Sequence, residues 1–242
     1  MYQLLSKRRK SIIATDSPGG AFALAGKVAV AAEPPGGEIV LESVAHSSSS
    51  YPGEWTLPND IQAGDLLLAF VGWENDTPET IDGFTVVEQY GGEWNWWSLQ
   101  YRIATGDESS PIAADPSWAP PISHIMRFSG VDNGNPINTW GAYESQAGGS
   151  APSKSVELDS ISPDADGTLL VVCSYGAAGN APTGHTCNAA EPTWSGGVDS
   201  TNELAVWTEA LASSGATGTR TVVYTAAPTY SLTAMMIALN PA

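Results

Sequence analysis

Two short apolar runs, Gly64-Asp65-Leu66-Leu67-Leu68-Ala69-Phe70-Val71-Gly72-Trp73 and Asp166-Gly167-Thr168-Leu169-Leu170-Val171-Val172-Cys173-Ser174-Tyr175-Gly176, share one plan. Each opens on a small-residue turn and closes near a glycine. Runs this short, rich in branched residues and bounded by glycine, predict strands buried on both faces rather than helices. The segments downstream of the two runs also correspond. Trp97 to Ala104 aligns with Leu204 to Leu211, and Ile125-Met126-Arg127-Phe128 with Met236-Ile237-Ala238-Leu239. The offset between the copies grows from 103 at Gly64/Gly167 to 107 at Trp97/Leu204 and 111 at Phe128/Leu239, as loop insertions between matched strands require.

A duplicated unit this long is not a solenoid repeat, and it points to two halves of a sandwich. The 25 glycines and 17 prolines are spread along the chain as turn punctuation, which favours many short strands. The expected fold is all-β: a jelly-roll-like β-sandwich from two pseudo-repeated halves, about residues 60–130 and 163–242, with an extended N-terminal arm. Residues 1–38 are read as arm and linker, ending in Glu33-Pro34-Pro35-Gly36-Gly37, and residues 39–242 as the domain.

Within the domain, period-2 alternation places Trp97, Leu99, Tyr101 and Ile103 on a core face. Trp96, Ser98, Gln100 and Arg102 fall on the opposite face, which is expected to be wet, with Trp94 and Trp96 at its rim. Gly141 to Ser153 reads as a small-residue connector between the halves.

The net charge of −17 conceals a polarity. Residues 1–27 hold Lys7, Arg8, Arg9, Lys10 and Lys27 against Asp16, so the rest of the chain carries −21. Such a body repels nucleic acid and anionic membrane, which argues against sequence-specific nucleic-acid binding and membrane association. The arm resembles a secretory signal in outline: a basic start, the apolar Ser11-Ile12-Ile13-Ala14 and Ala21 to Ala25, then Ala29-Val30-Ala31. Asp16, Pro18, Gly19, Gly20 and Lys27 interrupt its apolar middle, however. The expectation is an assembly arm, using Lys7, Arg8, Arg9, Lys10, Ile12 and Ile13, held against another subunit or protein. The alternative is an arm packed back on its own domain. No stretch is long enough to span a membrane as a helix.

The phrases Gly64 to Gly72, Tyr101-Arg102-Ile103-Ala104-Thr105, Phe128-Ser129-Gly130-Val131-Asp132 with Pro136-Ile137, and Gly215 to Arg220 resemble a β-sandwich domain of structural proteins in tailed bacteriophages and prophages. The resemblance covers about residues 39–242 and leaves the arm unmatched. It implies a position on the virion exterior, in capsid decoration or in a tail or fibre. It carries no catalytic motif.

Read for chemistry, the residues point the same way. His46, His124 and His185 lie on separate segments, and nothing resembles a nucleophile elbow, so no catalytic residue is assigned. His185-Thr186-Cys187 lacks a second ligand pair for zinc, and Asp164-Ala165-Asp166-Gly167 lacks the later oxygens of a calcium loop. No metal or other cofactor is expected. The carboxylates between Glu74 and Asp82 read as solvated charge rather than a glycosidase pair. Cys173 and Cys187 are too few for a disulfide framework, and a bridge between them is not expected.

The strongest signal is aromatic. Of nine tryptophans, Trp94, Trp96, Trp118 and Trp194 fall in loops or on faces expected to be wet. There they serve as a glycan-stacking or protein-contact surface, with core packing under long loops as the competing reading. The expected protein is therefore a non-enzymatic virion protein: a capsid decoration or accessory protein tethered by its arm to other virion proteins and forming a homo-oligomer. The alternative is a tail, fibre or carbohydrate-binding module recognising a host surface glycan.

Overall fold

The computed structural model describes residues 37–48, 54–73, 80–91, 96–113, 122–146, 153–178, 184–188, 194–197, 202–225 and 229–242. They belong to one compact unit spanning Pro34–Ala242, and the arm residues Lys7 to Lys10, Ile12 and Ile13 lie outside them.

Every regular element among the described residues is a strand. The first half supplies β1 (Val40–Ser48), β2 (Glu54–Trp55), β3 (Leu66–Trp73), β4 (Thr85–Gly91), β5 (Trp96–Ile103), β6 (Ile112–Ala113) and β7 (Ile122–Ser129). The second supplies β8 (Ile137–Gln146), β9 (Ser153–Leu158), β10 (Leu169–Ala178), β11 (Gly184–Cys187), β12 (Trp194–Gly197), β13 (Asn202–Ala210), β14 (Arg220–Thr225) and β15 (Thr229–Leu239).

Two five-stranded antiparallel sheets run β1-β7-β3-β5-β4 and β8-β15-β10-β13-β12, which is one strand order written twice. Each half adds a small outer sheet, β2-β6 in the first and β9-β14-β11 in the second. In each half the last strand returns to lie between the first and third, and the packed antiparallel sheets make a β-sandwich.

The duplication holds at single-residue resolution. Leu66 lies opposite Ile103 and Phe128, and Leu169 lies opposite Ala210 and Leu239. These pairs reproduce the offsets 103, 107 and 111 found between the copies in the sequence. The turns match too. Gly64 and Gly167 both take a positive φ, +90° and +74°, where a side chain would be strained. Beside each, the same backbone bond closes the turn: Ala104 N to Asp65 O in one half and Leu211 N to Thr168 O in the other.

Three apolar cores lie between four layers. In the central one, Leu66, Leu68, Phe70, Leu99, Met126 and Phe128 of the first half meet Val171, Cys173, Val206, Met235, Ile237 and Leu239 of the second. The reverse face of the first large sheet, with Leu67, Ala69, Val71 and Ile125, is covered by Trp55, Leu57, Ile81 and Phe84. The reverse face of the second, with Leu170, Val172, Trp207 and Met236, is covered by Val156, Leu158, Val222 and Tyr224. β3 and β10 are thus dry on both sides, which is why each reads as an unbroken apolar run.

Double coverage corrects one expectation. Ser98 and Gln100, placed by alternation on a wet face, are fully buried. Gln100 donates to Ser98 Oγ at 2.7 Å and accepts from Ile81 N at 2.9 Å, so the outer layer satisfies the polar groups it covers. A second correction concerns the connector: its first residues, Gly141 to Gln146, are strand, because they pair with β15.

The ends of β7 and β15 meet at the bridge between Val131 and Pro241, so equivalent strands finish at the same pole. That pole also receives the start of β1, where Glu38 lies against Gly130, and Ala242, whose N donates to Gly130 O at 3.0 Å. It gathers the glycine turns and is called the turn pole. β1, β3, β4, β8, β10 and β12 end at the opposite pole, where β5, β7, β13 and β15 begin. This second end is called the loop pole.

Candidate interaction surface

The tryptophans divide by environment. Trp55, Trp97 and Trp207 are core residues. Trp94 and Trp118 lie outside the described residues, in segments 92–95 and 114–121 that lead into β5 and β7 at the loop pole. Trp96 and Trp194 begin β5 and β12, and the register sets Trp96 opposite Trp73 and Trp194 opposite Val206. The four residues singled out in the sequence are therefore not brought into one described cluster.

The exposed tryptophan that the structure does describe is Trp140, which sequence alternation did not single out. It is 42% exposed on β8, the edge strand of the second large sheet. It lies opposite Ile237, a central-core residue, so it stands on the central face at its rim. Its Nε1 donates to Glu88 Oε2 at 3.4 Å, across the seam to β4, the edge strand of the first large sheet. Glu88 shares the central face with Leu99, and its other oxygen accepts from Gln89 N at 3.1 Å. The counterpart of Trp140 in the first half, opposite Met126 as Trp140 is opposite Ile237, is the half-buried Val44.

Irregular register places both partners. β8 slips against β15 on either side of Trp140, between Ala238 and Leu239 and between Ala234 and Met236. β4 slips against β5 between Val86 and Glu88. Such bulges bend an edge and re-aim the side chains beside them. They also spoil the edge for pairing with another chain, as does the Leu41/Ser43 irregularity of β1.

The described arginines and several turn carboxylates serve the fold. Three of the domain's arginines are held by carboxylates: Arg127 to Asp65 at 2.6 Å, Arg220 to Glu209 at 2.7 Å and Arg102 to Glu108 at 3.3 Å. Burial pushes the Glu108 carboxyl up, but hydrogen bonds from Thr105 and Gly106 outweigh it and hold the group below its ordinary range. In the Asp164–Gly167 turn, Asp164 accepts from Asn138 Nδ2 at 2.6 Å and Asp166 from Ser214 N at 2.7 Å. Those carboxylates close turns, and the bond from Ser214 lowers the Asp166 pKa.

Cys173 and Cys187 are free and buried, and burial pushes their thiols up to about 12 and about 11. A thiol held protonated in this way is a poor nucleophile and a poor ligand. His124 is buried in the first large sheet opposite Phe70, its ring 5.9 Å from that of His46. Burial lowers its pKa to about 3, against a hydrogen bond with Ser123 O that favours the charged form. Among the described residues no group of three or more His, Cys, Asp or Glu side chains is placed to hold a metal ion, and no helix is long and apolar enough to cross a membrane.

Compared with family models, with curated proteins and with solved structures, the chain matches none.

Proposed function

We propose that this chain is a non-enzymatic structural protein of a tailed-phage particle, a decoration or accessory protein on the exterior tethered through its N-terminal arm. The phage assignment rests on the resemblance carried by Gly64 to Gly72, Tyr101 to Thr105, Phe128 to Asp132 and Gly215 to Arg220. The tether rests on one structural observation: residues 37–39 enter the domain at the turn pole, beside Gly130 and Ala242, opposite the pole where the aromatic segments join the sheets. A body held from its arm would turn its loop pole outward. Bulged edges on both large sheets limit strand-to-strand aggregation, which suits a protein packed at high density on a surface.

The test compares the full chain with a version lacking residues 1–38 for binding to particles and for solution mass. The truncated domain is expected to stay folded and to lose binding. Undiminished binding by the truncated domain removes the tether. A second reading, recognition of a host surface glycan, is favoured by the exposed indole of Trp140.

A further inference from the structure

We propose that Trp140 and Glu88 form a saccharide-binding subsite at the seam between β8 of the second half and β4 of the first. The inference rests on the glycan-recognition reading, not on the tether.

Folding alone does not account for the exposure of Trp140. The equivalent seam position of the other half is filled by Val44, so the architecture requires no large ring there. An indole left 42% exposed gives up much of the burial that makes tryptophan useful in a core. Yet the ring has a partner. Its N–H reaches Glu88 Oε2 at 3.4 Å, and the two partners are set in position by bulges on two opposing edge strands. A bulge on one edge protects that edge; bulges converging on one contact from both sheets orient a site.

The surroundings select the ligand. A protein-binding hot spot sits within an apolar patch that excludes water. The other exposed large apolar residues described, Val40 and Val86, are not on this face: Val40 pairs with Ser129, whose neighbour Phe128 carries the central face, and Val86 pairs with Gln100 on the outer one. An exposed indole beside an exposed carboxylate matches a pyranose ring. The sugar's C–H face stacks on the indole, and its hydroxyls donate to the lone pairs that Glu88 retains after bonding Trp140 and Gln89.

The full chain should be titrated with cellohexaose, maltohexaose and chitohexaose and followed by tryptophan fluorescence and calorimetry. Binding to at least one at millimolar concentration is expected. Trp140→Ala should weaken it about tenfold or more, with an unchanged melting temperature, while Trp140→Phe keeps part of it. Glu88→Gln should weaken it less than Trp140→Ala, because the amide keeps an acceptor. If the full chain binds a sugar and Trp140→Ala binds it equally well, glycan recognition survives at another site and this subsite falls. If the full chain binds none of the three, both fall. Loss of particle binding in Trp140→Ala with sugar binding intact would make the seam a protein contact and overturn the proposal.

Discussion

Arg127 Nε donates to Asp65 Oδ2 at 2.6 Å, joining the end of β7 to the turn before β3, at two positions that the second half fills with Ala238 and Thr168. The first half closes its turn with charge; the second closes it with Thr168 Oγ1 donating to Ala165 O at 2.7 Å. Asp65 Oδ2 also accepts from Gln62 N, and Arg127 Nη1 donates to Asn59 O, so the pair fixes the whole turn.

Removing one partner leaves the other charge largely buried. Arg127→Ala is expected to cost about 3 kcal/mol in urea unfolding, since breaking a buried pair is worse than lacking one. The double change Asp65→Thr with Arg127→Ala copies the second half and should recover at least half of that loss. A double variant as unstable as the sum of the singles would show that the two turns are not interchangeable.

His124 predicts a pH dependence with a definite sign. Its pKa falls from 6.5 to about 3 on folding, so between these values the unfolded chain binds the extra proton. Stability from this group is therefore complete above pH 6.5 and is lost as pH falls toward 3, by about 2 kcal/mol at pH 5. The equivalent position in the second half is Met235, which suggests the control. His124→Met should flatten the decline in melting temperature between pH 6.5 and 4; an unchanged slope would assign the decline to other groups.

Gln100 should behave as a core residue. Gln100→Ala removes the acceptor of Ile81 N and the donor to Ser98 Oγ in a dry layer, and is expected to cost about 2 kcal/mol. Thr85, exposed on the neighbouring edge strand, is the comparison: Thr85→Ala should cost less than about 0.5 kcal/mol. Equal effects in chemical denaturation would mean that the outer layer does not exclude water from Gln100.

The duplication was legible because it is written in residues buried on both faces. Leu66 to Val71 and Leu169 to Val172 have no exposed positions to drift, and glycines with positive φ mark their starts. Alternation failed where a covered sheet carries polar residues. Ser98 and Gln100 look like surface in sequence because their hydrogen-bond partners, Ile81 among them, come from a distant loop. Composition failed at Gly141 to Gln146, where pairing with β15 overrides a small-residue sequence that favours a connector. Trp140 could not be found by period-2 reading, because register slips on both sides break the period it would obey. The arm, Trp94 and Trp118 stand as the sequence left them.

Three chain passages crowd one end of the domain: the entry at Glu38, the crossing at Gly130 to Pro136, and Ala242. The order of the halves along the polypeptide is then a matter of wiring rather than of architecture. A short bridge from Ala242 to Glu38, with a cut at the exposed Asn133-Gly134, would exchange first and second without displacing a strand or uncovering a core. Such a permutant would carry its leading segment from the middle of the present chain and still emerge on the same side of the molecule.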